Sequence, residues 1–104
     1  MSREQIKESL ANLYRAITMI ENEDEMEAFL TDLCTIKELQ DMAQRLSAAK
    51  MLKNGENYLN IASEIGISTA TISRVSRALN YGTGGYDMVL EKLKEDVKAP
   101  EEEA

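Results

Sequence analysis

Apolar residues recur along this chain at steps of three and four, the spacing that lines one face of an α-helix, and no stretch alternates with the period of two that marks a half-buried strand. Ile6, Leu10, Leu13, Tyr14, Ile17 and Ile20 form the first such stripe. Ser2 followed by Gln5 opens it with capping-box spacing. Asn22 and Glu25 repeat that spacing ahead of Met26, Phe29, Leu30 and Leu33, and the acids from Glu21 to Glu27 suit a solvated first turn and its dipole. A third box, Thr35 with Glu38, precedes Leu39, Met42, Ala43, Leu46, Ala49 and Leu52, and Gly55 can end that helix in the left-handed conformation.

Two short helices are expected to flank Gly66. The glycines from Gly82 to Gly85 then break the pattern, and Tyr86, Val89, Leu90 and Leu93 set out a last helix. The expectation is an all-α chain of six helices with short connections. Residues 1–96 form a single helical domain with a helix-turn-helix over 58–77, and 97–104, with Pro100 and Glu101 to Glu103, form an acidic, disordered tail.

Length and composition narrow the function classes. A chain of 104 residues is one domain by size, and it can bury most of its apolar surface only if every long helix contributes a face. With no His, a His-dependent triad and the usual zinc sets are excluded; no enzyme and no metal site is expected. No segment approaches the ~20 apolar residues of a membrane span, and no signal-peptide pattern stands at the N-terminus, so a cytoplasmic protein with no membrane partner is expected. The single Cys34, beside Leu33, reads as a buried reduced thiol.

Net charge is −7, which on its face argues against a polyanionic partner. Its distribution changes that picture. Residues 1–34 carry −5 and 78–104 carry −4, which leaves 35–77 at +2. Weak non-specific affinity and a strong reliance on particular contacts would follow for any nucleic-acid role.

The candidate chemistry lies in the +2 segment. In a helix-turn-helix two short helices cross steeply, so a small side chain is needed where they touch and a Gly suits the tight turn; Ala62 and Gly66 stand four apart to do this. Ile61, Ile65, Ile67, Ile72 and Val75 would form the shared core, with Ser68 capping the second helix. That leaves Thr69, Ala70, Thr71, Ser73, Arg74 and Arg77 on its N-terminal and outer surfaces: short hydroxyls that can donate to phosphate and two arginines that can read guanine in a major groove. Lys50 and Lys53, in the last turns of the third helix, suit either that helix's C-terminal dipole or a phosphate contact. An αα-hairpin packed for structure alone is the competing reading. Five Ser or Thr residues in the nine from Ser68 to Ser76 argue against it, because each lowers helix propensity.

Leu33 to Glu38, Ala43 to Arg45, Leu52 to Gly55 and above all Ala70-Thr-Ile-Ser-Arg74 carry a resemblance to the Trp repressor family, and more closely to its YerC/YecD-type TrpR-related members, over residues 5 to 95. The resemblance implies the six-helix Trp-repressor-like fold, an intertwined homodimer whose first, second and last helices interlock, and two reading heads on double-stranded DNA. It also implies an effector site: in ligand-controlled members two arginines and a helix-opening threonine hold tryptophan, at positions matching Arg45, Arg74 and Thr35. Those members have Gly where this chain has Val75, and a branched side chain there would fill the indole slot. The resulting expectation is a sequence-specific DNA-binding transcriptional regulator, a repressor of a palindromic operator, needing no cofactor. The alternatives are a tryptophan-responsive or other carboxylate-responsive repressor, and a helical protein-protein interaction module.

Overall fold

The computed structural model describes residues 1–103, with side chains through Asp96; the tail expected over 97–104 lies outside the residues described in full. Six helices and no strand are present among the described residues: α1 (Arg3–Thr18), α2 (Glu23–Leu33), α3 (Ile36–Lys53), α4 (Tyr58–Ile65), α5 (Thr69–Tyr81) and α6 (Gly85–Glu103). None is long and apolar enough to cross a membrane. This is the all-α architecture that the periodicity predicts.

Local hydrogen bonds explain where the helices start. Ser2 Oγ accepts from the Gln5 N–H at 3.2 Å while the Ser2 N–H donates to Gln5 Oε1 at 2.8 Å, a closed capping box. Thr35 and Glu38 close the same box, at 3.0 and 2.8 Å. At α2, Asn22 Oδ1 accepts from the Glu25 N–H at 2.9 Å, but the Glu25 carboxylate turns back to the Glu21 N–H at 3.0 Å, one residue before the cap. Each of these bonds satisfies an amide that the helix itself leaves without a partner.

The chain divides into two compact units, residues 1–39 and 40–104. In the first, neither α1 nor α2 has a buried residue. Ile6 and Leu10 of the α1 stripe are 47% and 42% exposed. An open cavity of about 310 Å³, lined by Glu23, Met26, Glu27, Leu30, Thr31 and Leu39, marks the same unit. Cys34, at the C-terminal cap of α2, is half-buried and free, so the thiol is less enclosed than its apolar neighbours suggest.

The core lies in the second unit. Ala48, Ala49, Ile61, Ile72, Val75 and Leu90 are buried together, with Leu46, Met51, Leu52, Ala62, Ile65, Ile67 and Tyr86 packed around them. α3 contributes the two alanines within this core and Leu46, Met51 and Leu52 around it. Side chains as small as alanine leave most of the buried volume to Ile61, Ile72, Val75 and Leu90 of α4, α5 and α6.

Candidate nucleic-acid interface

α4 begins at Asn57, whose Oδ1 accepts from the Asn60 N–H at 2.9 Å. It ends at Gly66, which takes φ 78° and ψ 35°, and whose N–H bonds to the Ala62 carbonyl at 2.9 Å. The sequence offers two reasons for Gly66, contact between the helices and a tight turn. The structure removes the first: a Cβ built at Gly66 meets nothing within 4 Å. What the position demands is the left-handed backbone, which costs a residue with a side chain about 1–2 kcal/mol. Ala62 is the one of the pair that packs, half-buried against the core.

Two residues later the chain enters α5 through Ser68. Its Oγ accepts from the Thr71 N–H at 3.1 Å and lies 3.0 Å from Thr71 Oγ1. The geometry is that of the expected cap, with one addition: the two hydroxyls form a joined pair. Ile72 is fully buried and Val75 is 2% exposed, so one face of α5 is fixed inward. By helical geometry Ala70, Ser73, Arg74 and Arg77 fall away from these two, and all four are exposed. Ser68 and Thr69, four and three residues before Ile72, are exposed at the N-terminal end, and Thr71 is half-buried. Ser73 and the arginines are therefore turned to solvent on a helix whose other side is anchored, with two more hydroxyls open at its start.

Lys50 and Lys53 are exposed in the last turns of α3. Lys53 Nζ is 2.9 Å from the Asp87 carboxylate in the first turn of α6, with both side chains about half exposed (49% and 50%). A partner for Lys53 beyond its own helix was not legible in the sequence. Nor was Gln44, half-buried on α3, whose Nε2 donates at 3.4 Å to the carbonyl of Ile65, the last residue of α4. That contact ties the end of the first short helix to α3 just before the turn. It spans 21 residues, beyond the reach of any local pattern.

The residues implied as an effector site are placed as follows. Thr35 is exposed, and its hydroxyl oxygen accepts the Glu38 N–H. Arg45 and Arg74 are exposed in α3 and α5. Val75 belongs to the buried core with Ala48, Ala49 and Ile72.

Comparison with known proteins agrees with this geometry. Residues 8–94 match the family model for Trp repressor protein. The uncharacterized protein YerC of Bacillus subtilis is 49% identical over 86 residues, which is 83% of each chain. Among solved structures, a TrpR-like protein from Eubacterium eligens superposes with a TM-score of 0.80 at 47% identity, covering 84% of this chain and 90% of its own. A protein from Staphylococcus aureus, solved as a candidate Trp repressor, gives 0.81 at 44% identity, covering 90% and 95%.

Proposed function

The chain belongs to the Trp repressor family, and from that premise we propose that it is a dimeric transcriptional repressor that reads a palindromic DNA operator with the N-terminal half of α5. The observation that carries this reading is the outward face of α5. Thr69, Ser73, Arg74 and Arg77 are exposed, while Ile72 and Val75 hold the helix from behind. Thr69, Thr71, Ser73 and Arg74 face the major groove; Ser68 and Ala70, at the start of the helix, pass close to the backbone, and Arg77, Lys50 and Lys53 contact phosphates.

The homodimer is part of the same proposal. α1 and α2 each present an apolar stripe with no buried member, and a second copy covering these stripes supplies what a chain of this size lacks. Two heads then fall on half-sites about 34 Å apart. Tryptophan is not the effector in this reading, because Val75 spends its side chain on the core and leaves no slot for an indole. Binding is independent of ligand or controlled by another means.

Selection of binding sites from random duplex DNA tests the proposal. A palindrome with heads one helical turn apart is expected, and binding should be lost when Thr71 and Arg74 are both replaced by Ala while the dimer persists. Equal binding of that double variant in a gel-shift titration would overturn the assignment of α5.

A further inference from the structure

The middle of this chain has few cations to spend on phosphate, since residues 35–77 hold six against four acids. Among them Lys53 is engaged from another helix: its Nζ lies 2.9 Å from the Asp87 carboxylate. Asp87 stands in the first turn of α6, where the helix dipole favours an anion beside the lysine. Both side chains are about half exposed (49% and 50%), so the pair is open to an incoming strand rather than sealed in the core.

We infer that Asp87 is a positioning residue that competes with DNA phosphate for Lys53. A phosphate approaching the ammonium meets the Asp87 carboxylate 2.9 Å from it. Either the lysine changes partner or it adds almost no net charge to the interface. An exposed pair of this kind is weak, so the exchange is easily made, but it reduces what Lys53 contributes to affinity. In an acidic protein this keeps non-specific attachment low and leaves discrimination to the α5 face. The inference rests on the DNA-binding reading above.

The test uses the full chain and the duplex that wild type itself selects, titrated at several salt concentrations from about 50 mM upward. Asp87→Asn is expected to bind about two- to fivefold more tightly at the low end, with the slope of log affinity against log salt steeper by up to about 0.9. In a Lys53→Gln background the same change should do nothing. A gain that persists without Lys53 reflects the chain's overall charge and overturns the inference, as does an unchanged affinity and slope with Lys53 present. Asp87→Ser, which keeps a residue suited to the start of a helix, serves as a second variant and must behave as Asp87→Asn does. If wild type selects and binds no duplex at low salt, the DNA-binding reading itself fails, an outcome distinct from wild-type binding that is indifferent to Asp87.

Discussion

Ser68 Oγ lies 3.0 Å from Thr71 Oγ1 and also accepts the Thr71 N–H at 3.1 Å, so the residue that starts α5 holds a residue of its proposed reading surface by two contacts. The cap and the proposed reading surface thereby meet at a single turn, and substitutions at Ser68 can separate them. Ser68→Ala removes the cap and should cost about 1 kcal/mol in denaturant unfolding. Ser68→Asp keeps a capping oxygen, so stability should stay close to wild type, while the added charge should weaken DNA binding. Equal DNA affinity for wild type and Ser68→Asp would place the start of α5 away from phosphate.

The two turns that bound α5 differ in what they ask of glycine. At Gly66 only the φ of 78° matters, because a Cβ would meet nothing. Gly66→Ala should therefore cost about 1–2 kcal/mol, and Gly66→Asn less. At Gly82 the backbone angles are ordinary, but a Cβ would collide with the Ala78 carbonyl oxygen, a backbone atom of the preceding turn. Gly82→Ala is expected to be the more damaging of the two. Thermal melts that rank them in the opposite order would contradict both explanations.

Val75 separates a core role from an effector role. Calorimetry with free tryptophan should show no tight binding to the wild-type protein, and Val75→Gly should lower stability by about 2–4 kcal/mol through lost burial and a glycine inside a helix. Tight tryptophan binding by wild type would show that the side chain does not block the slot.

Exposure of α1 gives a prediction about assembly. Ile6 and Leu10 are 47% and 42% exposed within one chain, so Ile6→Asp with Leu10→Asp should change an isolated monomer by only about 0.5 kcal/mol per site. If a second copy covers them, sedimentation should show loss of the dimer, and the melting temperature should lose its dependence on concentration. A variant that sediments and melts as wild type does would remove α1 from the interface.

The Arg74 side chain is exposed on the face of α5 away from buried Ile72. Arg74→Ala should cost about 1–3 kcal/mol on the selected site and relax preference at one base position. Arg77→Ala should instead weaken all duplexes alike and flatten the salt dependence by about 0.9. The same relaxation from both changes would mean that the two arginines do not divide base reading and phosphate contact as proposed.

The caps at Ser2, Asn22, Thr35 and Ser68, the number of helices and the outward hydroxyl face of α5 were determined by the sequence alone. Each depends on bonds or faces repeating every three or four residues, within the reach of a single helix. The Asn57 cap is equally local, but the Gly-Glu-Asn run before α4 reads as a connection. Tertiary structure decided the rest. Ala48, which lies outside the apolar stripe that includes Ala49, is buried beside it because other helices pack over that part of α3 and a small side chain fits there. Gln44 reached Ile65, and Lys53 met Asp87 across 34 residues, only because folding had already placed separate helices side by side. At Gly66 the sequence offered both contact and turn, and tertiary structure chose between them: backbone conformation rather than lack of room.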